Sequence, residues 1–499
     1  MPRSVVIAIT VLGVLALFAS TTFALVRSTQ LRSSRARVAA LASELAAARD
    51  DAAPPSEAAP SNPLDDLLDG EGGDSLDELL PDGGEGLDDL LGGDVAQLAQ
   101  CVQPAGAPGS RDVPEAGPTE QIAQISELVT ELRSLEFTDA PDPEFLDDEQ
   151  LSQRLAAEVT EEYDAEDAEI DARLLAALGA VPADIDLIEL QTELLASQVA
   201  GFYDPDTGEL VVRGAVGDDG LSPTGQSTLA HELQHALADQ TLDLPIDTTE
   251  DTSQSDAALA ALSLVEGDAT LTQQQFTITG LNLSEQLALS ADPDALSAQE
   301  QLADVPHYLA QSLQFPYLAG LRFVCERYLA GGWDAVNAAY DDLPTTSAEI
   351  LDPQRYGTDA IDPRDPGDPG GDWERQRTTT LGAADLLWLF EAPGNDTARA
   401  LDEPRDRALA WTGGEVTVWT DGDATALGIA LTQDAAGSLC DSIATWYERA
   451  FPDSTDAPTR RDERLVREGS QHGGVVTCAG DEVRVGIAPD ATTARAVAR

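Results

Sequence analysis

Histidine occurs only four times in this chain of 499 residues, and two of the four stand four apart in Ala230-His231-Glu232-Leu233-Gln234-His235-Ala236. With histidine this scarce, a chance His-Glu-x-x-His is rare. The flanking residues predict a helix over Ser227–Gln240. Ser227 or Thr228 can cap it, and Leu229, Leu233 and Leu237 form an apolar stripe. Side chains four apart stack on one helix face, so both imidazoles can reach a single Zn²⁺. Glu232 projects from the neighbouring angle. It lies too far round to be a ligand and is well placed to take a proton from a metal-bound water.

A catalytic zinc needs a third protein ligand and one open position. In the metzincin pattern a histidine follows His235 by six residues; that position is Thr241, which excludes the class. The alternative is a glutamate from a second helix downstream, and Asp256–Gln275 reads as such a helix. There Ala257, Leu259, Ala260, Leu262, Leu264 and Val265 lead into Glu266-Gly267-Asp268-Ala269. A glutamate in so apolar a run is costly to bury without a partner, and a metal is one. Glu266 is therefore the expected third ligand. Asp268 reads either as an acceptor for an imidazole N–H or as a solvated helix residue. Asp239, one turn beyond His235, competes for that role or for a place as ligand. The oxyanion of an attacked carbonyl needs a donor, and His307, Tyr308 and Tyr317 are candidates. His472 reads as a loop residue.

Ahead of the metal helix, Gln198–Tyr203 and Glu209–Arg213 flank Asp204-Pro205-Asp206-Thr207-Gly208 and predict a hairpin, an edge to which an extended peptide could add. The order Gly201-Phe202-Tyr203-Asp204-Pro205, His231-Glu232-x-x-His235, Leu264-Val265-Glu266-Gly267-Asp268-Ala269 resembles the gluzincin-type zinc peptidases. It more closely resembles a group of exported zinc-peptidase-like surface proteins. Further matches are Phe315-Pro316-Tyr317-x-x-Gly320, Gly331-Gly332-Trp333 and Ser347-x-Glu349-Ile350-Leu351-x-Pro353. The resemblance spans about residues 195–360 and implies a hydrolase acting on peptide bonds. It departs from thermolysin-like enzymes at Thr270, where their glutamate helix carries an acid. A zinc-binding surface protein without activity and a hydrolase of non-peptide amides are the other readings.

Charge and cysteine set the surroundings. The formal net charge is −63, from 91 acidic and 28 basic residues, every basic one an arginine. Such a chain repels nucleic acid and anionic membrane surfaces. Residues 50–94 hold 15 acids, no base, and an L-D-[DE]-L-L unit at Leu64–Leu68, Leu76–Leu80 and Leu87–Leu91. They read as a self-repelling spacer, or as a docking motif or weak Ca²⁺ chelator. Most of the acid lies elsewhere, on the body. Val5–Val26 is uncharged and long enough to span a bilayer, while Thr22-Phe23-Ala24 offers a cleavage site. Either exports the body, as a single-pass membrane protein or a secreted one. Against this, Arg27, Arg32, Arg35 and Arg37 follow the span and only Arg3 precedes it, the charge order of a cytoplasmic C-terminal side. Four cysteines outside the cytosol favour two disulfides. Cys440 and Cys478 share the C-terminal segment, which leaves Cys101 with Cys325.

The expected architecture is α+β. A membrane anchor or signal (1–27), a short helical stalk (28–49) and an acidic linker (50–111) precede a mainly helical, zincin-like catalytic domain with a small sheet (112–361). A linker (362–374) leads to a smaller α+β domain (375–499). Helices are expected at Gln121–Leu135, Asp148–Gly179 and Leu439–Ala450, and strands at Val416–Trp419, Ala424–Leu431 and Val475–Ile487.

Overall fold

A computed structural model describes residues 8–11, 95–103, 117–162, 165–214, 220–249, 252–461, 463–469 and 472–499. Most of the apolar N-terminal span, the stalk and the acidic repeats lie outside the described residues. The fold is α+β: a helical part with a four-stranded sheet, then a seven-stranded antiparallel sheet with helices.

In the helical part, α1 (Val95–Val102) and α2 (Pro118–Arg133) come first. β2 (Glu144–Leu146), α3 (Asp148–Glu162), α4 (Ala165–Ala177) and α5 (Leu187–Gln198) follow. The hairpin is β3 (Val199–Asp204) and β4 (Glu209–Arg213), with Gly201 opposite Val212. Behind it runs α6 (Pro223–Leu242), and against α6 lies α7 (Ser255–Gly280). Further along, α8 (His307–Gly331), α9 (Trp333–Asp341) and α10 (Ser347–Leu351) complete this part. α1 falls inside the stretch expected to be linker. Its Leu98, Cys101 and Val102 are buried, and the Cys101–Cys325 disulfide ties it to α8.

The second part is built on β5 (Glu374–Thr380), β6 (Trp411–Asp421), β7 (Ala424–Gln433), β8 (Thr455–Asp456), β9 (Glu463–Glu468), β10 (Gly473–Ala479) and β11 (Glu482–Ala488), in the spatial order β5-β6-β7-β11-β10-β9-β8. The run expected as one strand, Val475–Ile487, is a hairpin. Its two-residue turn is Gly480-Asp481, with Gly480 at φ 68°, a conformation other residues resist. Helices α11 (Ala383–Glu391), α12 (Leu439–Ala450) and α13 (Ala491–Val497) accompany the sheet, and Cys440–Cys478 joins α12 to β10.

One hydrophobic core crosses both parts, running from Leu264 and Phe323 through Trp388 to Leu427 and Val485. At the junction Asp256, at the start of α7, is buried. Its backbone N–H donates to Thr380 Oγ1 of β5 at 2.8 Å, and its carboxylate accepts from the Ser347 N–H of α10 at 3.2 Å. Burial first, then the nearby Asp385 and Glu349 carboxylates, push its pKa up to about 7, against the pull of the Ser347 bond. The folded state thus binds a proton that the unfolded chain has already lost between the ordinary carboxylate range and pH 7. Stability is expected to fall as pH rises through that window and to level off above it. Asp256→Asn is expected to flatten that slope and to raise the unfolding midpoint at pH 8; denaturant titrations at pH 5 and 8 would read it.

Candidate metal centre

The metal helix begins earlier than its apolar stripe suggests. Ser222 is the cap, accepting from the Gly225 N–H at 3.1 Å, and Pro223 takes the first helical position, where its missing N–H costs nothing. Gly225 to Ala238 are all buried, so α6 passes through the interior with polar residues inside. α7 does the same. Its buried Thr277 and Thr279 hydroxyls donate to carbonyls one turn back, and Gln273 Nε2 reaches the Ser227 carbonyl of α6 at 3.2 Å. That last bond holds the two helices at a fixed offset.

The offset brings three side chains together. His231 Nε2 lies 3.2 Å from Glu266 Oε2 and His235 Nε2 lies 3.5 Å from the same oxygen, with all three residues buried. Ligand atoms 2.0–2.2 Å from a tetrahedral zinc stand about 3.3–3.6 Å apart, close to these two separations, and all three ligand atoms lie within 4.8 Å of one another. Among the described residues His235 Nε2 has no hydrogen-bond partner, which leaves its lone pair for a cation, while His231 Nε2 is hydrogen-bonded to Glu266 Oε2. Burial opposes the Glu266 charge, and the two imidazoles outweigh it and hold the carboxyl below its usual range. Two imidazoles and one carboxylate suit a borderline-soft dication.

Glu232 is fully buried beside the cluster. A Cβ on Gly201 of β3 would come within 3.2 Å of Glu232 Oε1 and 2.7 Å of the Val211 carbonyl, so glycine there leaves the room the carboxylate uses. Tyr317 of α8 is also near, its ring centroid 6.2 Å from that of His231. Burial, then the Glu266 and Glu232 charges, raise its phenol well above 10, so it stays a neutral O–H donor. What brings it so close is a glycine crossing. A Cβ on Gly267 would stand 2.3 Å from the Gly320 backbone, and one on Gly320 only 2.1 Å from the Ser263 carbonyl. α7 and α8 therefore touch backbone to backbone, beside Glu266 and one turn beyond Tyr317.

The other expected site residues lie elsewhere. His307 opens α8 ten residues before Tyr317, about 15 Å along the helix. Its ring meets Glu391 at 2.9 Å and its N–H donates to Asn395. Tyr308 donates to Asp385 and packs edge-on against Trp388. Asp239 accepts from the Tyr203 hydroxyl at 2.7 Å, which fastens α6 to β3 rather than to a metal. Asp268 is neither an imidazole acceptor nor solvated. It is fully buried and paired with Arg133 of α2 through bonds of 2.9, 3.2 and 2.9 Å, and it accepts from Tyr340 at 3.0 Å. Both imidazole Nδ1 atoms are without a hydrogen-bond partner among the described residues. Arg133 itself donates to Asn337 at 2.6 Å and lies 4.3 Å over the Trp333 ring. The sequence reading did not single out Arg133. The signal was the buried Asp268, which required a cation from somewhere.

The strand expected to take an extended peptide already carries one. β1 (Ala8–Val11), four residues of the apolar span, pairs antiparallel with β3, with Thr10 opposite Gly201. Among the described residues no helix is long and apolar enough to cross a membrane. No protein-family model, curated protein or solved structure matches this chain.

Proposed function

We propose that this protein is a zinc-dependent peptidase of zincin-like architecture, with His231, His235 and Glu266 as metal ligands and Glu232 as general base. The observation that carries the reading is the pair of 3.2 and 3.5 Å separations onto one Glu266 oxygen, with Glu232 on the intervening helix turn. Zinc held there supplies the Lewis acidity that makes water a nucleophile at neutral pH. Glu232 takes the proton from the attacking water and passes it to the leaving amine. The Tyr317 hydroxyl donates to the carbonyl oxygen as negative charge grows on it. Burial of the whole cluster strengthens these interactions.

A peptide is the favoured substrate because the β3 edge beside Glu232 accepts an extended backbone in antiparallel register. Cleavage of a quenched fluorescent peptide library that stops on chelation and returns with zinc is the expected result. Full zinc loading without cleavage of any amide would leave a zinc-binding surface protein. Zinc-dependent cleavage confined to non-peptide amides would change the substrate class.

The two disulfides support a location outside the cytoplasm, with the N-terminal apolar segment attaching the body to a membrane. Ala8–Val11 cannot lie in a bilayer and edge β3 at the same time. A chain starting at residue 50 is expected to cleave peptides with KM lowered several-fold, because the edge is then open. An unchanged KM would show that β3 does not receive the substrate.

A further inference from the structure

Far from the metal helix in the chain, the second part holds a cavity of about 360 Å³ lined by five arginines: Arg364, Arg460, Arg484, Arg495 and Arg499. This is unexpected in a chain with 28 basic residues and a net charge of −63. Arginines spread over so acidic a body would each find carboxylates. Here they gather on one wall, formed by the end of the β10–β11 hairpin, the start of β9, the end of α13 and the loop before β5.

Two of the five are already neutralised. Arg364 grips Glu482, with Nε to Oε1 at 2.7 Å, and Arg495 grips Glu463, with Nε to Oε1 at 2.8 Å. The other three are not. The Arg460 side chain stands 3.9 Å from the Glu463 carboxylate, which Arg495 and the Arg460 backbone N–H already hold. Arg499 makes no ion pair among the described residues. Arg484 is more than nine-tenths buried, and only its Nη1 is used, on the carbonyls of Arg364 and Asp365. Its Nε and Nη2 have no partner among the described residues, and the side chain lines the cavity. Burial pulls its pKa down, ahead of the opposing pull of Glu482. The five guanidinium groups of the lining thus face three lining side-chain carboxylates, Asp365, Glu463 and Glu482. That planar donor edge opens on the cavity and matches a carboxylate or phosphate bidentately.

We propose that this cavity binds a small organic polyanion, one bearing a phosphate or at least two carboxylates. The volume lies in the range of small-molecule sites and exceeds what a single inorganic ion fills. Arg484 supplies the bidentate contact, Arg460 and Arg499 close on the remaining charge, and the Thr477 side chain completes the wall. The site is independent of the metal centre, and its occupancy needs no zinc.

The test is calorimetric titration of the full chain with citrate and, separately, ribose 5-phosphate, each against sodium chloride at equal ionic strength. Saturable one-to-one binding of either, with Kd in the millimolar range or tighter, is expected. Citrate alone binding identifies the carboxylate class, and ribose 5-phosphate alone the phosphate class. Arg484→Gln is expected to weaken binding at least tenfold. Should that variant fail to fold, Arg460→Gln with Arg499→Gln, both at the cavity mouth, is expected to weaken it comparably. Arg173→Gln, whose side chain pairs with Glu169 on α4, should leave it unchanged. No saturable heat with either anion, or equal affinity in the arginine-pocket variants and the wild type, would overturn the proposal.

Discussion

Glu232→Gln is expected to lower peptide cleavage by about 10²–10⁴-fold, the range that a positioned general base contributes, while the protein keeps its fold and its zinc. Glutamine preserves the shape of the side chain in its slot against Gly201 and removes only the ability to accept a proton. The loss should appear in kcat far more than in KM, because the proton moves only as the reaction proceeds. The remaining rate would come from the metal and from Tyr317, which the substitution leaves in place. Activity equal to wild type would assign the base elsewhere.

Arg133→Met is expected to cost about 3–5 kcal/mol of folding stability, because it leaves Asp268 as an uncompensated buried charge. The pair is fully sequestered, and Trp333 stacks on the guanidinium side while Tyr340 donates to the carboxylate. Three helices meet there: α2 through Arg133, α7 through Asp268, and α9 through Asn337 and Tyr340. Asp268 lies two residues beyond Glu266, so slackening this joint is also expected to weaken zinc binding. The double variant Arg133→Met, Asp268→Leu should recover much of the loss, as apolar replacement of a buried pair often does. Urea unfolding of the two single variants and the double would measure it. Single variants within 1 kcal/mol of wild type would mean that the pair is not sealed from water.

What the sequence disclosed was whatever a local pattern carries. Two histidines four apart required the helix that became α6, and an acid in an apolar run pointed to Glu266. The turn residues Asp204-Pro205-Asp206-Thr207-Gly208 marked the β3–β4 hairpin. The start of α6 was read at Ser227 because the apolar stripe begins there, although Ser222-Pro223 already spelled a cap followed by a first-turn proline. Partners remote in sequence were not legible. Arg133 and Asp268 are 135 residues apart, and nothing in either segment names the other. His307 and Tyr317 looked equivalent as donors, yet one helix carries both and its length separates them. Gly267 and Gly320 stand in the sequence only as members of two separate motifs. Only the crossing of α7 and α8 shows that each makes room for the other's backbone, and that this contact sets Tyr317 beside Glu266.

The most direct test of the account is metal content, measured by inductively coupled plasma mass spectrometry on the purified protein. One zinc per chain is expected in the wild type and in Glu232→Gln, and a small fraction of that in His235→Ala and Glu266→Ala. A wild type without zinc after zinc-supplemented purification would contradict the central claim. Zinc retained in full by Glu266→Ala would contradict the ligand set, and would turn attention to Asp239 as the third ligand.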